Sequence, residues 1–145
     1  MDLKRPDDVL VFASAPVDRV GLSEAFEMHT RVSELIRSRK VSAAHDVSDG
    51  GLAVAIAEMC IASGLGASID SVPADVGDTL LTNMATSYVL AMSRAAAVEC
   101  GLPILGKVTA DARLRIDVTD GDPIDLLVER LATAWRAPLA QGGGT

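Results

Sequence analysis

Apolar positions recur at helical spacing from Leu22, through Ala25, Phe26, Val32, Leu35 and Ile36, with His29 beside the stripe as a half-buried, hydrogen-bonded imidazole. Ser23 lies near the expected N-terminal cap, and Glu24 and Glu27 fall in the favourable first turn. The period then shortens: residues 41–47 predict a strand. Residues 52–63 predict a second helix, apolar almost all round except for Glu58, so it should be covered on most sides. Gly64 should end it in a left-handed cap. A short strand over 66–70, a loop over 72–77, a helix or turn over 78–83 and a strand over 87–92 follow. Residues 94–100 predict a helix closed by Gly101. Residues 104–109 and 114–118 read as a hairpin across 110–112. Asp122-Pro123 opens a last helix to about Arg136, with Leu126, Leu127, Leu131 and Trp135 on its inner side.

Helices alternating with strands, one strand pair being a hairpin, predict an α+β fold: a mixed β-sheet of four to six strands with helices packed against it. One domain is expected over 16–140. Residues 1–15 read as an N-terminal extension or linker remnant that adds at most an edge strand over 9–13, and 141–145 as a flexible Gly-rich tail.

Composition narrows this picture. The chain has 145 residues, 49% of them apolar, enough to bury one core. Its aromatic side chains are Phe12, Phe26, Tyr88 and Trp135, so Ala, Val, Leu and Ile must fill the interior. A net charge of −7 with scattered basic residues argues against nucleic-acid and anionic-membrane surfaces. The basic stretch at 37–40 suits a helix C-terminus. No apolar run reaches membrane-spanning length and no secretory signal is visible, which predicts a cytoplasmic protein. Cys60 and Cys100 lack a Cys-x-x-Cys spacing and are expected as reduced thiols.

Candidate chemistry concentrates in residues 44–59, AHDVSDGGLAVAIAEM. A strand ends in His45-Asp46, turns through Ser48-Asp49-Gly50-Gly51 and opens a helix at Leu52. Such turns favour Ser, Asp and Gly for backbone reasons alone. Amides exposed at a helix start also attract phosphate, and Asp46 and Asp49 would repel a phosphate unless a divalent cation lay between. The stretch is thus an ordinary turn or a Mg²⁺–phosphate site, with Asp46 as the metal ligand; a metal-free phosphate site fits least. Strand alternation sends His45 away from Asp46, which leaves it an orienting or structural role. Cys60 is inert packing, Lys107, Arg113 and Arg115 are solvated strand positions, and no catalytic triad assembles.

The string AHDVSDGGLAVAIAEM closely resembles the C-terminal domain of the phosphoribosylformylglycinamidine (FGAM) synthase family, in the aminoimidazole ribonucleotide (AIR) synthetase superfamily. The preceding helix at 22–40, ILGKVTADARLRI at 104–116 and Ala134-Trp135 agree in order, so the resemblance covers about residues 16–140. It implies the fold of the AIR-synthetase C-terminal domain and a part in the ATP-dependent amidation of formylglycinamide ribonucleotide in purine biosynthesis. It also implies a cleft lined by Asp46, Ser48, Asp49, Gly50 and Gly51. Asp46 would help to hold Mg²⁺ and Ser48 would contact a phosphate of ATP or ADP. That cleft needs an N-terminal AIR-synthetase-like domain or subunit, and a glutaminase and a small PurS-like subunit are further implied partners. Alone, the chain is expected to be inactive and to self-associate.

The family reads LFSES and then Arg before the central strand, where this chain has Leu80-Leu81-Thr82-Asn83-Met84 and Ser87. That departure supports the rival reading of a non-catalytic assembly or dimerisation module. Another ATP-dependent member of the superfamily is the third reading.

Overall fold

The computed structural model describes residues 1–15, 21–70, 72, 80–81, 86–118 and 121–137. Its strands are β1 (Val9–Ser14), β2 (Val41–Asp46), β3 (Gly66–Ile69), β4 (Ser87–Met92), β5 (Ile104–Thr109), β6 (Arg113–Ile116) and β7 (Ile124–Leu127). They form one 7-stranded sheet in the order β2-β4-β1-β5-β3-β6-β7. All neighbours are antiparallel except β3 with β6. The helices among the described residues are α1 (Leu22–Arg37), α2 (Gly51–Ser63), α3 (Arg94–Cys100) and α4 (Val128–Arg136). The mixed sheet and α+β class agree with the sequence reading, with one strand more than its upper bound.

Alternation along β1 explains the two layers. Leu10 and Phe12 join Leu52, Ile56, Met59 and Cys60 of α2 in one core, which Leu131 of α4 borders. Val9, Val11 and Ala13 join Val32 of α1 and Ala97 of α3 in the other. A strand covered on both faces reads as a continuous apolar run, which is what VLVFA is. This corrects the expected edge strand near the N-terminus: β1 is paired on both sides, with β4 and with β5.

Three further expectations change. β5 and β6 are not a hairpin, because β3 lies between them, antiparallel to β5 and parallel to β6. The close approach depends on Gly106, where a Cβ would stand 1.9 Å from the Ser68 carbonyl oxygen. The hairpin belongs to β6 and β7, pairing Ile116 with Ile124 and Arg113 with Leu127. Residues 124–127 are therefore strand, and the last helix starts only at Val128, whose amide donates to the Ala112 carbonyl at 3.0 Å. Leu127 and Trp135, expected inside, are 42% and 64% exposed, because the short helix turns only Val128 and Leu131 towards the core.

Finally, α1 is capped by Gly21 without a side-chain bond, and Ser23 lies in its first turn. Only Val32 of its stripe is fully buried, while Leu22 is 94% and Phe26 71% exposed. The expectations for 73–79, 82–85 and 138–145 lie outside the described residues. α2 ends as expected, with Gly64 left-handed and its amide on the Cys60 carbonyl at 2.8 Å. Among the described residues no helix is long and apolar enough to cross a membrane.

Gly106→Ala should destabilise the domain by roughly 3 kcal/mol, because the new methyl meets backbone that cannot rotate away; the urea midpoint measures it. Cys60 and Cys100 are both free thiols, the first buried and the second partly exposed. Burial pushes the Cys60 thiol up to about 12 from 9.0. Iodoacetamide at mildly alkaline pH should therefore label Cys100 and spare Cys60 until the chain unfolds. Because the folded value is the higher one, Cys60 should also withdraw stability as pH rises from about 9 towards 12.

Candidate functional site

Among the described residues β2 is an edge strand paired only with β4, and it delivers the candidate residues to one corner of the sheet. Ala43 packs under α2 and Ala44 on the opposite layer, so the next two residues divide in the same way. His45 points into the α2 side, its side chain 10% exposed, while Asp46 on the α1 side is 66% exposed. His45 Nδ1 lies 2.7 Å from the Asp46 carbonyl oxygen and 3.4 Å from Asp46 Oδ1. The expected division between the two residues therefore holds, and the acid is the one that meets solvent.

After Asp46 the buried Val47 donates its amide to the Ser87 carbonyl at 2.8 Å, and the chain turns. Ser48 and Asp49 face outward. The Gly51 amide closes the turn on the Ser48 carbonyl at 3.0 Å. Gly50 and Gly51 both have left-handed φ, 92° and 70°. A Cβ on Gly50 would also stand 2.5 Å from Val54 Cγ2, so the bend requires glycine whatever it binds.

The amides at the start of α2 depart from the expectation of an exposed cradle. Gly51, Leu52 and Ala53 are buried, and the Ala53 amide donates to the Leu80 carbonyl at 3.0 Å. Gly50 caps the helix without a side-chain acceptor, and backbone carbonyls take the Gly51 and Ala53 amides instead. Asp46 and Ser48 thus face solvent beside the bend.

Asp46 fits a magnesium ion as one exposed, hard oxygen donor. Among the described residues, no three His, Cys, Asp or Glu side chains gather to hold a metal. A cation here would need phosphate oxygens or another chain to complete its shell, as Mg²⁺ commonly does.

Two neighbours of the site were not legible in the sequence. Tyr88, the cross-strand partner of Asp46, shares a hydrogen bond between its hydroxyl and His29 Nδ1, with the rings edge to face at 5.6 Å. Burial raises the Tyr88 phenol above its usual range, and the Asp46 charge adds to the shift. His29 is exposed, with this partner, where a half-buried ring was expected. On the other face, Glu58 accepts from Trp135 Nε1 at 3.3 Å and brings Oε2 to 3.0 Å from His45 Nε2. One signal was present: Glu58 is the lone charge on α2.

Ser87, where the resembling family has Arg, is 2% exposed, and its hydroxyl lies 2.8 Å from that of Ser14. It fills the sheet and offers no charge to the site. Thr82, Asn83 and Met84 lie outside the described residues. A shallow groove of about 240 Å³ runs past Asp46, Tyr88, Ala44, Val32 and Ile36.

Comparison with known proteins places this geometry in a family. The model of the AIR synthase related protein C-terminal domain matches residues 14–119. A phosphoribosylformylglycinamidine synthase subunit PurL from Sinorhizobium fredii (strain NBRC 101917 / NGR234) is 36% identical over 139 residues, 88% of this chain and 18% of that protein. The PurL of Deinococcus radiodurans is 42% identical over 117 residues, 72% of this chain and 16% of that one. This chain therefore spans under a fifth of the length of these curated relatives. T. maritima PurL complexed with AMPPCP superimposes with a TM-score of 0.70 at 20% identity, over 90% of this chain and 26% of that one. The E. coli hydrogenase maturation protein HypE gives 0.60 at 18% identity, over 86% and 50%, and these two likenesses establish the fold alone. By sequence and architecture together, the chain belongs to the family of AIR synthase related protein C-terminal domains.

Proposed function

We propose that this domain forms one wall of a Mg²⁺–nucleotide cleft in a phosphoribosylformylglycinamidine synthase, which uses ATP to exchange the amide oxygen of formylglycinamide ribonucleotide for nitrogen in purine biosynthesis. The observation that carries the reading is Asp46, held at the end of β2 with its carboxylate outward beside the Ser48-Asp49-Gly50-Gly51 bend. The names of the relatives support it, as do the solved structures of T. maritima PurL complexed with ATP, ADP and FGAR.

Asp46 holds the Mg²⁺, which when bound neutralises phosphate charge that Asp46 and Asp49 would otherwise repel. Ser48 donates its hydroxyl to a phosphate oxygen, and Gly50 and Gly51 keep the bend narrow enough for a ligand to approach. The remaining walls belong to an N-terminal AIR-synthetase-like domain or subunit, with a glutaminase and a PurS-like subunit supplying ammonia in the cytoplasm. One wall cannot orient two substrates, so the 145-residue chain alone turns nothing over.

A second reading, a non-catalytic assembly module, is favoured by the buried Ser87, engaged with Ser14, and by the engaged amides of Gly51 and Ala53. The two readings separate when Mg-ADP is titrated into the chain mixed with its N-terminal partner domain. Asp46→Ala should weaken binding about tenfold or more, roughly 1.4 kcal/mol. Equal affinity in the variant would favour the assembly module.

The outer side of α1 exposes Leu22 and Phe26, apolar area that a partner domain or a second copy would cover. Light scattering should show self-association of the isolated chain, abolished in Leu22→Glu/Phe26→Glu. A monomer at high concentration before mutation would reject that role for α1.

A further inference from the structure

α1 is the longest described helix, at 16 residues, yet Val32 alone is fully buried along it. Helices in water draw most of their stability from packed faces. The inner side of α1 is accounted for, because Val32 sits in the core with Met28 and Leu35 packed against it. Arg31 lies on one flank, where its guanidinium donates to the Cys100 carbonyl of α3.

The other flank carries a second stripe. Leu22, Phe26, His29, Ser33 and Ile36 follow one another at steps of four, three, four and three residues, which sets them in one line along the helix. That is the spacing of a seam between two helices, and it runs for about 21 Å. Leu22 is 94%, Phe26 71% and Ile36 47% exposed. Ser23 and Thr30 beside the seam are small and uncharged, which leaves room for a second helix to lie close.

The stripe is continuous with the candidate site. Ile36 lines the groove that also contains Val32, Ala44, Tyr88 and Asp46, and His29 is bonded to Tyr88. The seam and the exposed carboxylate therefore share one surface at the outer edge of β2.

We propose that this surface docks an amphipathic helix of the domain that completes the Asp46 cleft. The identity of the partner rests on the nucleotide reading above; the seam does not. A domain seated along α1 stands next to Asp46, where the remaining cation ligands and walls are needed. The curated relatives are several times longer than this chain, so they hold further polypeptide to cover such a seam. The docking helix carries apolar residues at the same alternation of three and four.

Isothermal titration of the N-terminal AIR-synthetase-like domain into the full chain, without nucleotide, reads the contact directly. Ile36→Glu and Leu22→Glu/Phe26→Glu should each weaken association about tenfold or more, with urea midpoints unchanged because these side chains are exposed. Ser33→Leu, which completes the apolar line, should tighten it. No association, equal affinity in both acidic variants, or weaker binding by Ser33→Leu would overturn the proposal. Asp46→Ala separates the two readings. Mg-ADP binding lost there while the seam variants still associate normally sinks the docking surface alone. Seam variants that fail to associate, with Mg-ADP binding indifferent to Asp46→Ala, support the docking surface and sink the nucleotide reading.

Discussion

Burial of α2 against the sheet is the constraint on which the corner of this domain depends. Leu52, Ile56, Met59 and Cys60 are fully enclosed, and each large apolar side chain contributes roughly 1.5–3 kcal/mol on leaving water. A helix so covered cannot slide or rotate without opening cavities. It therefore fixes where β2 stops and where the Ser48–Gly51 bend must pass. The bend adapts to the helix: two consecutive left-handed glycines make the turn, and the carbonyls of Ser48 and Leu80 close off amides of the first turn.

From that corner the pleat of one strand creates two environments of opposite character. Asp46 emerges into solvent beside Tyr88, where a hard cation and phosphate oxygens could meet it. His45, one residue earlier, is driven under α2 into a cleft with Glu58 and Trp135. Because β2 is an edge strand among the described residues, both environments open at the rim of the sheet, where another domain has access. The polar residues there are few, so each has a definable task.

Elsewhere the charged side chains do more modest work. Arg113 and Arg115 tie β6 to Asp125 of β7 and to Asp111, and Lys40, just before β2, reaches Glu99 of α3. These are exposed pairs, screened by solvent, and they orient surface elements without holding the fold. The net negative charge fits a nucleotide only where a cation intervenes, which is the arrangement proposed at Asp46.

The sequence by itself determined what local chemistry dictates. The all-round apolar run announced α2, Gly64 and Gly101 marked two helix ends, and strand alternation separated His45 from Asp46. The motif at 44–59 also pointed to the family that residues 14–119 match. The tertiary structure decided whatever depends on distant neighbours. Only three-dimensional pairing puts β3 between β5 and β6, sets β1 inside the sheet and makes residues 124–127 a strand, because apolar runs do not encode which edge they will meet. Likewise no spacing rule links Glu58 to Trp135 or Tyr88 to His29; those side chains meet because the sheet brings remote elements together.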